Sequence, residues 1–388
     1  MKRVAFVHDI FPGGGAERVT IDIAKYISQN YSDYKFYVFT PGLVEDMYTD
    51  DIKECITIKE IRHPKDERSL DIEKLIVSEG INLIIQVVQP IQSIGEICAR
   101  TGCKTIFANH GEPFWERYAI IRRRKKSILY KPLWKLFWER YFVDWGHARK
   151  KVFKRVRTQY NNCNAYTVLC EDYKSEINTA LGINPELSKI IAIENSERIV
   201  PDVTYEKENI IMFCGRLENT SKRLDRLLRI WGKVQHKLPD SRLLIVGEGK
   251  YRIEMEKQIA REKLERVDMV GRHSNVAQFY RKASIVCLTS QTEGWGLCLT
   301  EAQAHGCIPV AFGCSSGVKD ILSPSGVNGF IVTPFDEDEY AETLLRIAAM
   351  SDEERYAIRR SAVAKRANYT PDIIMKKWAT LIESMFTE

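Results

Sequence analysis

The chain has 388 residues, 44% of them apolar and 28% charged, with a net charge of +6. That length exceeds one ordinary core and the composition is that of a soluble globular protein, so two domains are expected. No apolar run approaches the ~18 residues of a membrane-spanning helix, and residues 1–4 enter a strand pattern without the apolar core of a signal peptide. Ten scattered cysteines contain no Cys-x2-Cys pair, which argues against a zinc site and for small buried hydrophobes in a reducing compartment.

In chain order, apolar runs at 4–8, 36–40, 83–88, 105–109, 166–170 and 190–194 predict strands. Between the first two lies a loop, Pro12-Gly13-Gly14-Gly15, and then Val19, Ile23 and Ile27 on one helical face. Residues 196–209 carry Pro201 and charges without any period, as a linker would. Strand patterns resume at 210–214, 243–246, 267–270, 285–288, 310–312 and 330–332, and a last helix is predicted over 371–386. Strands alternating with helices imply α/β domains, each a parallel sheet covered on both faces.

Several strand ends carry chemistry. Gly13-Gly14-Gly15-Ala16-Glu17 follows the first strand and opens a helix, where glycines allow close backbone approach. Arg18 stands where a dinucleotide fingerprint needs its third glycine, so an ordinary strand–helix turn is the plain alternative, and Glu17 is also normal first-turn chemistry. Asn109-His110-Gly111 ends another strand, the position at which open α/β sheets bind ligands. Gly215-Arg216-Leu217, with Lys222 and Arg223, follows the first strand of the second half. These cations suit a diphosphate, or else form a basic loop before an amphipathic helix. Gly247-Glu248-Gly249, and His273 with Ser274, close two further strands.

Residues 290–309 carry the strongest signal. A strand is followed by Glu293-Gly294-Trp295-Gly296-Leu297, then by helix formers up to His305 and a stop at Gly306. The free N–H groups of such a helix start suit an anion, most often a phosphate. Glu293 and Glu301 flank the turn with seven residues between them, too far apart to share one point. They can hold two ends of one extended ligand, and carboxylates accept hydrogen bonds from sugar hydroxyls. Asp336-Glu337-Asp338 is formally Asp-x-Asp, but it opens a helix, where acidic residues are ordinary. No essential metal is expected.

Glu293 and Glu301 in their Glu-Gly-Trp-Gly-Leu context resemble the E-x7-E element of retaining glycosyltransferases with the GT-B fold, most closely family 4, which builds bacterial polysaccharides and lipid-linked glycans. The resemblance implies two Rossmann-like domains facing across a cleft: 1–200 on the acceptor side, 201–370 for the nucleotide sugar, and 371–388 crossing back to the first. It implies that Gly14 and Gly15 face the donor phosphates, with Glu17 an acceptor-side candidate. His110 would contact the donor sugar opposite Glu293, and Arg216 and Lys222 would take the diphosphate. Residues Gly294, Trp295, Gly296 and Leu297 would face its oxygens, and Glu301 would hold the ribose. Arg223 stands where the family has Gly, and Asn195-Ser196 where many members have Asn-Gly. The expected reaction is metal-independent transfer from a nucleotide-diphosphate sugar, UDP favoured, to a glycan or lipid-linked acceptor, with no cofactor. A nucleotide-sugar 2-epimerase and a non-catalytic membrane or nucleic-acid adaptor on the same scaffold are the alternatives.

Residues 117–157 hold fifteen Lys/Arg against Glu139 and Asp144, with 122–126 an unbroken basic run. Interleaved Trp134, Trp138, Tyr141 and Trp145 lie near helical spacing. Basic helices with such aromatics bind anionic membrane surfaces, and each cation near the surface adds ~1 kcal/mol. Peripheral docking on the inner face of the cell membrane, beside a lipid-linked acceptor, stands level with a packed helix pair. Nucleic-acid binding has no accompanying motif.

Overall fold

The computed structural model describes residues 1–116 and 147–387. They form two compact units, Met1–Glu194 with Ile374–Glu388, and Asn195–Ile373. The first holds seven strands: β1 (Lys2–Val7), β2 (Tyr34–Thr40), β3 (Ile56–Glu60), β4 (Leu83–Val87), β5 (Lys104–Ala108), β6 (Ala165–Val168) and β7 (Ile190–Ala192). They pair in the order β3-β2-β1-β4-β5-β6-β7, every pair parallel. The second holds β8 (Glu208–Cys214), β9 (Arg242–Val246), β10 (Val267–Gly271), β11 (Ala283–Leu288), β12 (Ile308–Phe312) and β13 (Phe330–Val332). Their order is β10-β9-β8-β11-β12-β13, again parallel throughout. Both sheets are Rossmann-like, as expected from the alternating pattern.

The period of two explains why the strands read as continuous apolar runs. Val4 and Phe6 of β1 face one core cluster and Ala5 the other. Ile211 and Phe213 of β8 face one cluster, Ile210 and Met212 its opposite. A sheet buried on both faces needs apolar residues at every position. The strand missing from the sequence reading is β3, at the sheet edge, where only Ile56 is buried and Thr57, Lys59 and Glu60 interrupt the run.

Both sheets reverse strand order beside their central strand, between β1 and β4 and between β8 and β11. Loops leaving the carboxyl ends of neighbouring strands there run to opposite sides, which opens a crevice for ligands. The Gly13–Gly15 loop follows β1, the Arg216 loop follows β8, and the 289–296 turn follows β11.

The last helix, Pro371–Thr387, packs Ile374, Met375, Trp378, Ala379, Leu381 and Ile382 into the cluster of Val4, Phe6 and Ile23. Lys2 Nζ meets Glu383 Oε1 at 2.5 Å, and Tyr34 also bonds Glu383. Unit breaks fall at 194/195 and 373/374, not at 200/201 and 370/371. The aperiodic stretch 196–209 buries Glu197 and ends inside β8; burial of a loop leaves no period to read. Of the basic segment, residues 117–146 lie outside the described residues. The rest belongs to the helix His147–Asn161, which buries Val152, Val156 and Gln159 and exposes Lys151, Lys154 and Arg155. No helix among the described residues is long and apolar enough to cross a membrane.

Trp378 is 1% exposed, so Trp378→Ala should cost the first unit ~3–5 kcal/mol. Hydrogen exchange should quicken at β1 amides and stay unchanged at β8 amides.

Candidate functional site

In the second unit, the loop after β8 and the turn after β11 are tied together. Gln291 N–H donates to Ser221 O at 2.6 Å, and Thr289 Oγ1 to Lys222 O at 3.3 Å. Glu218 accepts from the Thr220 and Ser221 N–H groups at 2.7 and 3.0 Å, which curls the loop and presents Lys222 inward. Lys222 Nζ meets Glu293 Oε2 at 2.5 Å, and Ser290 Oγ donates to the same oxygen at 3.2 Å. Burial works against the Lys222 ammonium, but the Glu293 carboxylate outweighs it and holds the pKa above its ordinary value. The exposed Arg216 lies close enough for its charge to oppose that of Lys222. Two cations and one carboxylate therefore share the switch point.

Arg223 takes another direction. Its backbone is left-handed, with φ 51°, and its guanidinium grips Asp225 through two bonds of 2.8 Å. Arg229 adds a bond to Asp225 at 3.1 Å, and together the two arginines, against the effect of burial, hold that carboxyl well below its usual range. Lys222 thus joins Glu293, whereas Arg223 braces the following helix, Leu224–Val234.

Gly296 opens the helix Leu297–Ala304 with φ 95°, a conformation that favours glycine, and no side chain caps the helix start. Gly294 backs onto Gly317, where an added Cβ would overlap the Gly294 carbonyl. Trp295 is buried, its ring edge-on to Tyr369 at 5.4 Å, so at this position a ligand has only the backbone to meet. Glu301 Oε2 accepts from the Tyr280 hydroxyl at 2.8 Å. Both glutamates bear on the buried thiol between them: burial first, then Glu293 and Glu301 against Lys222, push Cys298 well up. Cys214 is pushed up to about 11 by burial, with Glu301 adding to it. Lys222, Glu293 and Glu301 thus all lie near enough to Cys298 for their charges to bear on its thiol, and Arg216 near enough to bear on Lys222.

Gly247 and Gly249 serve the backbone. Gly215 N–H donates to Val246 O at 3.0 Å and Leu217 N–H to Glu248 O at 2.9 Å, and a Cβ on Gly247 would overlap the Gly215 carbonyl. His273 turns its ring to Val270 O at 3.1 Å and onto Phe279. Asp336 caps its helix through bonds from Asp338 and Glu339 N–H at 3.1 and 3.0 Å, Glu337 pairs with Arg229 and Asp338 with Lys233, both at 2.5 Å. All three acids thus have structural employment.

In the first unit, Gly14 precedes the helix Gly15–Asn30, and a Cβ there would overlap the Glu17 carboxylate. Glu17 lies 3.7 Å from His8 Nδ1, and His8 Nε2 meets the Thr20 hydroxyl at 2.8 Å. Burial raises the Glu17 carboxyl, but His8, the bond from its own backbone N–H and, most weakly, His110 outweigh it and leave the pKa below its ordinary value. The expected residues Gly14, Gly15, Glu17 and His110 therefore gather at the ends of β1 and β5. His8, Ser290 and Tyr280 were missed. His8 could have been found as a polar residue closing an otherwise apolar strand, whereas Tyr280 carries no signal.

Gly247→Ala should push the Arg216 loop off its seat, destabilising the second unit by ~1–3 kcal/mol, seen as a lower denaturant midpoint for that unit.

Residues 196–365 match the family model described as glycosyl transferases group 1, a stretch that includes Arg216, Lys222, Glu293 and Glu301. The chain is 30% identical over 190 residues to the amylovoran biosynthesis glycosyltransferase AmsD of Erwinia amylovora. That alignment covers 49% of this chain and 52% of AmsD, so the matched part spans about half of the relative's length. An uncharacterized glycosyltransferase of Haemophilus influenzae is 26% identical over 348 residues, covering 89% of this chain and 90% of its own. Among solved structures, HepE of Anabaena in complex with UDP-glucose superposes with a TM-score of 0.75 at 16% identity, over 99% of this chain and 100% of HepE, a likeness of fold. In sequence, residues 196–365 are thus similar to the glycosyl transferases of group 1, and the chain has the GT-B fold.

Proposed function

We propose that the protein transfers a sugar from a nucleotide-diphosphate donor, UDP-linked by preference, to a glycan or lipid-linked acceptor in cell-surface polysaccharide synthesis, with retention and without a metal. The observation that carries this reading is the Lys222–Glu293 contact of 2.5 Å beside Arg216, at the switch point of the second sheet. As the bond between the sugar and the diphosphate breaks, negative charge grows on the leaving oxygen. Arg216 and Lys222 are fixed cations for that charge, and the uncapped N–H groups at Leu297 add to them. Glu301 accepts hydrogen bonds from the ribose, and Glu293 from the donor sugar. The acceptor hydroxyl forms the new bond to the anomeric carbon and gives its proton to the departing phosphate, which needs no separate general base. This order follows the family resemblance. HepE, whose crystal structure contains UDP-glucose, supports the preference for uridine. Peripheral attachment to the cytoplasmic face of the membrane through 117–157 completes the proposal.

The catalytic assignment is tested by turnover of UDP-sugars with and without acceptor. Lys222→Ala and Glu293→Gln should each lower kcat by ~10²–10³, the range seen when one preorganised transition-state contact is lost. Glu301→Gln should act mainly on the donor KM, raising it ~10-fold, because its contacts are made in ground and transition states alike. Activity should survive EDTA; loss on chelation and recovery with Mn²⁺ or Mg²⁺ would overturn the metal-independent step.

A further inference from the structure

The helix that carries Glu301 is held from behind by a buried carboxylate. Glu197 is 3% exposed and lies three residues past the first chain crossing at 194/195. Its Oε2 lies 2.9 Å from the Thr300 hydroxyl, which is also 2.9 Å from Leu297 O and gives its one proton to the carboxylate as the stronger acceptor; its Oε1 accepts from Arg198 N–H at 2.9 Å. Its own N–H donates to Tyr369 O at 2.7 Å, and Tyr369 lies four residues before the second crossing at 373/374. The Tyr369 ring meets Trp295 edge-on, with interplanar angle 87°. Arg366 Nη1 donates to Arg198 O at 2.7 Å, and the Glu197 carboxylate favours the charged forms of Arg366 and His305 against the burial that lowers both.

The segments beside both crossings are therefore bonded to each other, and each also grips the turn-and-helix element between Glu293 and Glu301. Packing alone does not ask for a carboxylate here. An apolar side chain would fill the same space, and burying an unpaired charge costs several kcal/mol. What the carboxylate adds is direction: a charge-assisted bond to Thr300, the residue immediately before Glu301, fixes how far the helix extends toward the ligand. Thr300 sits within the first turns of the helix, and its side chain points away from that of Glu301, as neighbours about 100° apart on a helix do.

We propose that Glu197 is a positioning residue for the donor: through Thr300 it sets the placement of Glu301 and the 294–297 turn, and with the Tyr369–Trp295 contact it couples nucleotide binding to the two chain crossings. This rests on the nucleotide-sugar reading of the turn.

The test is calorimetric titration of the full chain with UDP and with GDP, taking whichever binds more tightly. Thr300→Val, which keeps the shape and removes the hydroxyl, should weaken nucleotide binding ~10-fold, while Thr300→Ser should stay within about twofold. Glu197→Ala should match Thr300→Val, Glu197→Gln should recover most of the loss, and the double variant Glu197→Ala/Thr300→Val should lose no more than either alone. In turnover, the donor KM should rise with kcat changed far less. If Thr300→Val binds nucleotide as the unchanged chain does, even with a lowered melting temperature, the contact is only structural and the proposal fails. Should Glu197→Ala not fold, the Thr300→Val and Thr300→Ser pair decides alone. If the unchanged chain binds neither nucleotide, the donor reading itself falls and takes this inference with it.

Discussion

The second unit is organised around one ion pair, Lys222 with Glu293 at 2.5 Å, made between two loops that leave neighbouring strands. Each partner is mostly shielded from water, with 18% and 16% of its side chain exposed. In such a place neither charge is tolerable alone, since removing one partner of a buried pair leaves the other uncompensated. The pair therefore needs the loop after β8 and the turn after β11 in register. The bond from Gln291 to Ser221 and the hydroxyl bond from Thr289 supply that register.

Electrostatic neighbours explain the rest of the site. The charge of Arg216 opposes that of Lys222, and the Glu293 carboxylate outweighs it. Arg216 and Lys222 against Glu293 leave one positive charge in excess at the loop after β8, and the helix Leu297–Ala304 adds an uncapped start, with Glu301 further along it. A diphosphate is the natural complement of such a cluster, because it brings diffuse negative charge to cations and N–H groups already in position. Around this centre, the other charges are kept out of the way. Arg223 and Arg229 neutralise Asp225, and Glu337 and Asp338 pair with Arg229 and Lys233.

The first unit repeats the same architectural idea with different chemistry. The end of β1 brings His8 beside Glu17 and Asp9 beside Arg68, rather than two cations beside one carboxylate. Glu17 folds over Gly14 toward His8, an arrangement suited to hydroxyl groups more than to phosphates. The last helix, although it follows the second unit in the chain, belongs to this core: Ile374, Met375 and Trp378 lie among Val4, Phe6 and Ile23.

Much of this was legible in the sequence. Doubly buried parallel strands announce themselves as unbroken apolar runs, and the Glu293-Gly294-Trp295-Gly296-Leu297 string announces a turn into a helix, because both are local facts of period and conformation. The edge strand β3 was not legible, since an edge needs only one apolar position, Ile56. Nor were the partners: that Lys222 rather than Arg223 meets Glu293, that Trp295 packs inward, and that Glu197 lies buried against Thr300. Such pairings join residues as far as 103 positions apart. Periodicity extends over a few turns only, so it fixes which residues share a face of one element; which elements then bring their faces together is decided by the packing of the sheet, and that is where the site is made.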